Sequence, residues 1–154
     1  MARPEIPDWR LRRITEADFE WAFELHRAAM GEYVERMWGW DEDFQRQFFA
    51  DAFDRQPRQV IQVAGQDVGV VVLEERPDEL YLGLIELLPA WQGRGLGTDI
   101  LRSLLRRAAD AGKPLSLHVL KTNPRAAALY EREGLRVVGC EETKLLMRTS
   151  SSGA

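Results

Sequence analysis

The chain of 154 residues is almost without cysteine and histidine: Cys140 stands alone, and His26 and His118 are its two imidazoles. One thiol excludes an internal disulfide and any metal centre built on several cysteines, and two histidines leave a histidine-rich metal site short of ligands, so no metal is expected. No apolar run approaches the roughly 20 residues that span a bilayer. The amino-terminal stretch MARPEIPDWRLRR carries neither the apolar segment nor the small-residue cleavage site of a secretory signal. A cytoplasmic address without a membrane partner is the resulting expectation. Positive charge is not in excess either, with 21 Lys and Arg against 25 Asp and Glu and a net charge of −4, which argues against nucleic acid as a partner.

What is present reads as an ordinary globular domain, 45% hydrophobic and 30% charged. This length suits one domain with a real core, expected over residues 1–149, before a disordered tail over 150–154. Trp9 to Ile14 reads as a short strand. Thr15, followed by Glu16 and Asp18, resembles a helix cap with acids in the first turn. Phe19, Ala22, Phe23, Leu25, Ala29 and Met30 form a helical apolar stripe, and Phe44, Phe48, Phe49, Ala52 and Phe53 form another from about Asp41. Beyond Pro57, turns at Gly65-Gln66-Asp67 and Arg76-Pro77-Asp78-Glu79 divide three strands of a meander. The third, Leu80 to Leu88, is apolar on both parities, as a central strand covered on both faces should be. A helix with Leu96, Ile100, Leu101, Leu104, Leu105 and Ala108 on one side follows, closed by Gly112 and Pro114. Strand PLSLHVL, the short helix NPRAAALYEREG and strands LRVVGC and TKLLMR complete the order. A strand–helix–strand crossover implies a parallel pair, so the expectation is an α/β domain with a mixed sheet. Cys140 is expected as a small buried strand residue.

Between the third meander strand and its helix lies Gln92-Gly93-Arg94-Gly95-Leu96-Gly97. A glycine-rich entry to a helix offers unpaired N–H groups and the positive end of the helix dipole, and Arg94 adds a cation. On the hexapeptide alone, a phosphate site and a ligand-free turn stay equally open. A P-loop is excluded by the missing Gly-Lys-Ser/Thr. The dinucleotide fingerprint fails at Thr98 and in PLSLHVLK, which supplies no acid. A nucleotide-binding interaction protein is disfavoured with them.

The apolar strand, Pro89, the Gln-x-x-Gly-x-Gly loop and the helix resemble the acetyl-coenzyme A motif of the GNAT N-acetyltransferase superfamily. About 30 residues further on, NPRAAALYEREGLRVVG resembles that family's Asn-x-x-Ala-x-x-Leu-Tyr…Gly-Phe signature, with Leu135 in place of the phenylalanine. The order of elements agrees over nearly the whole chain. The resemblance implies a GNAT fold, about seven strands in a mixed central sheet flanked by about four helices, with acetyl-coenzyme A as acyl donor. It places the pyrophosphate on the amides of Gln92, Gly93, Arg94, Gly95, Leu96, Gly97 and Thr98, and the pantetheine arm beside Leu87 and Leu88 like an added strand. Asp99 departs from the pattern as an acid near those phosphates.

Acyl transfer to an amine needs a base, because the amine is protonated at neutral pH, and a donor for the departing thiolate. Tyr130, matching the family's tyrosine, is the candidate donor, against a ring that merely packs on the sheet. Glu86, the one charge in LYLGLIELLP, is the candidate base, against a carboxylate held in a salt bridge. The amide of Leu88 is expected to face the oxyanion. His118 reads as a satisfied sheet residue ahead of a proton relay, and Asn123 as a helix cap that in the family also contacts the cofactor. In GEYVERMWGWDEDF, Glu32, Tyr33, Trp38 and Trp40, with Glu35, Asp41, Glu42 and Asp43 around them, offer ion pairing and cation–π contact to a small cationic amine. The alternatives are a peptide or protein amine, or a coenzyme A sensor without catalysis. Exposed sheet edges leave room for a homodimer.

Overall fold

The computed structural model describes residues 8–150. Most of the expected tail, and the residues before Asp8, lie outside the described residues. In order come β1 (Trp9–Arg13), α1 (Phe19–Trp38), α2 (Glu42–Arg55), β2 (Arg58–Val63), β3 (Gln66–Glu75), β4 (Leu80–Leu87), α3 (Leu96–Asp110), β5 (Leu115–Leu120), α4 (Pro124–Arg132), β6 (Arg136–Cys140) and β7 (Lys144–Arg148). The strands form one sheet in the order β1-β2-β3-β4-β5-β7-β6, with β4 and β5 as its parallel pair. This is the mixed seven-stranded sheet with four α-helices that the resemblance implies. Among the described residues no helix is long and apolar enough to cross a membrane.

The two faces of the sheet are set by a bulge in β4. Val72 pairs with Leu84 and Leu73 with Leu82, leaving Gly83 as the extra residue. Its insertion shifts the side-chain alternation, so Leu82 and Ile85 share one face while Tyr81, Leu84 and Glu86 share the other. The first face carries the main core: Ile61, Val71, Leu82 and Leu117 pack against Leu96, Ile100, Leu104 and Ala108 of α3. These α3 positions recur at helical spacing, which is why this segment forms an amphipathic helix. The second face takes α1 and α2, joined by a smaller cluster of Ala22, Phe23 and Phe49 with Phe19, Trp40 and Phe53 around it.

The first helix runs on beyond its expected stripe to Trp38, because Val34 continues the buried side and Glu32 pairs with Arg36 one turn on. Two local expectations need correction. In α2, Phe44 and Phe48 do not face the core; they are 62% and 63% exposed and stack on each other, while Phe49 and Gln45 turn inward. Aromatic residues on adjacent helical rows cannot all share one narrow face, and α1 covers only that of Phe49. Cys140 is exposed, since β6 is the outermost strand and little covers it.

The start of α1 is pinned electrostatically. Arg12 of β1 bonds both Asp18 and Asp67, and Asp18 closes a capping box with Thr15. The Arg12 hydrogen bond is the main reason that the Asp18 carboxyl is lowered to about 2. A lowered carboxyl stabilises the fold above its unfolded value near 4 and loses that contribution as pH falls toward the folded value. Thermal melts of Asp18→Asn should therefore show a lower Tm at pH 7 and a shallower fall between about pH 4 and 2. Identical acid slopes in the two proteins would remove Asp18 from the balance.

Candidate active site

The parallel pairing of β4 with β5 stops at Leu82 and Leu117, so the two strands diverge toward their carboxyl ends. The Leu88 amide donates to the Val68 carbonyl at 2.9 Å. In an antiparallel ladder alternate residues turn their amides to alternate sides, so Glu86 and Leu88 address β3 and Leu87 addresses the gap beside β5. The amide of Leu88, expected to meet an oxyanion, is thus engaged in the sheet, whereas that of Leu87 faces the gap. Gln92 Nε2 donates to the Leu87 carbonyl at 3.0 Å and ties the loop to the strand end.

The glycine loop stands at the mouth of this gap. After a single 3-10 turn over Pro89–Trp91, Gly93 and Gly95 adopt φ of 73° and 87°, left-handed values that let the chain reverse into α3. The amides of Leu96, Gly97 and Thr98, in the first turn of α3, have no acceptor within the helix, whereas that of Asp99 reaches the Gly95 carbonyl. The Leu96 side chain is buried, so only its backbone serves a ligand. Arg94 lies over the Trp91 ring, its guanidinium carbon 4.9 Å from the centroid. A diphosphate fits these donors, and an extended chain with amides fits the gap.

Glu86 is only 3% exposed. Its Oε2 lies 2.6 Å from Nδ1 of His26, whose side chain is 19% exposed. Phe49 and Trp40 flank the imidazole at ring distances of 5.4 and 6.3 Å. His26 occupies the buried stripe of α1, four residues after Ala22 and three after Phe23. A polar residue inside an apolar stripe, opposite a strand with one charge, was the sequence signal for this pair. Tyr130 packs its ring against the main core. Burial holds its phenol above its ordinary pKa.

Residues 11–135 match the acetyltransferase (GNAT) family. The chain belongs to the GNAT acetyltransferase family. Its fold is shared with PaiA N-acetyltransferase of Thermoplasma acidophilum in complex with coenzyme A, 13% identical, covering 93% of this chain and 99% of that one with a TM-score of 0.73. A spermidine N-acetyltransferase SpeG chimera from Vibrio cholerae and hSSAT is 22% identical over 94% of this chain and 96% of that one, with a TM-score of 0.65. Arabidopsis thaliana Naa50 in complex with a bisubstrate analogue, CoA-Ac-MVNAL, is 16% identical over 92% and 98%, at 0.63.

As a GNAT acyltransferase, the protein takes acetyl-coenzyme A as its donor, and Trp9 sets the position of Asp99. Its Oδ2 accepts the Trp9 indole N–H at 2.7 Å, which holds the carboxylate toward β1. Asn123 caps α4 through Oδ1, accepting from the Ala126 amide at 3.2 Å, and so helps to place Tyr130 two turns on. His118 is bonded at both nitrogens, to Tyr81 Oη at 2.6 Å and to Glu141 at 2.7 Å. Among the described residues no group of three or more His, Cys, Asp and Glu is placed to hold a metal ion.

The residues expected at the acceptor are dispersed. Trp40 comes to the imidazole of His26, but Trp38 is 57% exposed at the end of α1. Glu32 pairs with Arg36, Glu35 accepts the Trp40 amide, Asp41 caps α2 and Glu42 pairs with Arg27. Tyr33 offers its carbonyl to Thr122, beyond β5. A concavity of about 470 Å³ lies between Ile14, Phe53 and Pro57, and no residue of the glycine loop lines it.

Proposed function

We propose that the protein moves the acetyl group of acetyl-coenzyme A directly to a primary amine of a small molecule. Bound in the gap, acetyl-coenzyme A supplies an activated thioester carbonyl. The observation that supports the reading most is the Glu86–His26 pair, one residue from the Leu87 amide. A carboxylate only accepts, so in the neutral imidazole the hydrogen is on Nδ1 and the lone pair on Nε2. Glu86 then orients the ring and stabilises its cation, while His26 takes the proton from the attacking amine. The base first expected at Glu86 thereby moves to its partner.

The Leu87 amide donates to the carbonyl oxygen as negative charge grows there. Tyr130, still protonated at neutral pH because burial raises its pKa, supplies a proton to the leaving sulfur. Direct transfer suits the chain, whose one thiol, Cys140, lies on the outermost strand. A small acceptor is favoured by Trp40 beside His26, where an indole ring 6.3 Å from the imidazole offers an aromatic surface to an amine.

Thiol release from acetyl-coenzyme A should rise when members of a panel of small primary amines are added, with peptide amines as the comparison. Release from peptide amines alone would overturn the small acceptor. Binding of acetyl-coenzyme A without release from any amine would leave a sensor in place of an enzyme.

A further inference from the structure

Behind the pair lies a guanidinium with no carboxylate partner among the described residues. Arg58, at the start of β2, is 6% exposed, and its Nε and Nη1 are buried without a hydrogen-bond partner. The remaining nitrogen reaches only the amide oxygen of Gln56, at 3.4 Å. Its carbon lies 4.7 Å from the Phe49 ring centroid, the same ring that flanks His26 at 5.4 Å. Phe49 therefore touches both the imidazole and the guanidinium. The register places Arg58 on the face of Glu86: Arg58 pairs with Val72, Val60 with Val70, and Val70 with Glu86. Burial lowers the Arg58 pKa and Glu86 opposes that, but a guanidinium keeps its charge inside a protein.

The other cations around the pair are matched. Arg27 of α1 pairs with Glu24 and Glu42, and Arg46 of α2 with Glu20 and Glu42. Further along the sheet, His118 bonds both Tyr81 and Glu141. Burying an unmatched cation with two unpartnered nitrogens is costly, and such costs persist where the charge serves a site. We infer that Arg58 is a positioning residue for the reaction: its buried charge, beside the Phe49 ring that also meets His26, opposes gain of a proton by the imidazole. The role of His26 as base rests on the reading above, whereas the coupling between the charges does not.

The chain has only two histidines, so a nitrogen-15 NMR titration of the imidazoles separates them readily. In Arg58→Met and Arg58→Gln, loss of the positive charge should raise the His26 midpoint by about one pH unit, with His118 as the unmoved internal reference. A His26 midpoint unchanged in both variants would overturn the inference, as would equal movement of both histidines. The pH profile of kcat/KM is measured on the same proteins. An acid limb that moves upward with His26 supports both the coupling and the base. A limb that stays while His26 moves supports the coupling and removes His26 as the base.

Discussion

Glu86→Gln is expected to lower kcat about 100-fold at neutral pH while leaving the KM for acetyl-coenzyme A near its original value. Glutamine preserves the volume of a nearly inaccessible side chain, so the strand and the gap stay in place. What it removes is the negative charge 2.6 Å from Nδ1 of His26. An amide oxygen turned to the ring still holds the tautomer but no longer stabilises the imidazolium. An amide N–H turned to it reverses the tautomer and puts a hydrogen on Nε2, where the lone pair is needed. Either orientation impairs proton removal from the acceptor and leaves donor binding alone. Steady-state kinetics across pH tests this, and an unaltered profile would exclude the pair from the mechanism.

Tyr130→Phe should retain the fold and the affinity for acetyl-coenzyme A, because the ring that packs on the core is kept. Its kcat should drop by about 10- to 100-fold, the range of a lost general acid. The raised pKa fixes the sign of the pH dependence. Tyr130 must be protonated to act, so wild-type activity should persist past the ordinary tyrosine range before a basic limb sets in, and the variant should lack that limb. A donor thioester whose thiol is more acidic needs less help in leaving, so it should narrow the gap between variant and wild type. A deficit equal for both donors would show that the hydroxyl does something other than protonate sulfur.

How much of this was legible beforehand varied with the range of the interaction. The α3 stripe, the caps at Thr15 and Asn123 and the glycine loop depend on neighbours a few positions away, and each appears where local chemistry puts it. Phe44 and Phe48 were misread because α2 is aromatic on more than one side, and only the docking of α1 selects the side of Phe49. The amide of Leu88 was misassigned for a similar reason: which edge of β4 each N–H faces follows from the pairing with β3, which no spacing within β4 reveals.

The sequence by itself determined the order of elements, the glycine-rich entry to α3, the tyrosine-bearing α4 and the single charge on the central strand. Local periodicity, capping and the two motifs carry these, and family membership with them. Only the tertiary structure decided that Glu86 meets His26, 60 positions away, that Arg58 lies behind them with no carboxylate partner among the described residues, and that Trp9 holds Asp99 toward β1. Those contacts arise when a helix docks on a sheet face or strands fall into register. Charges that the chain keeps far apart then become neighbours in a medium too poor in water to screen them.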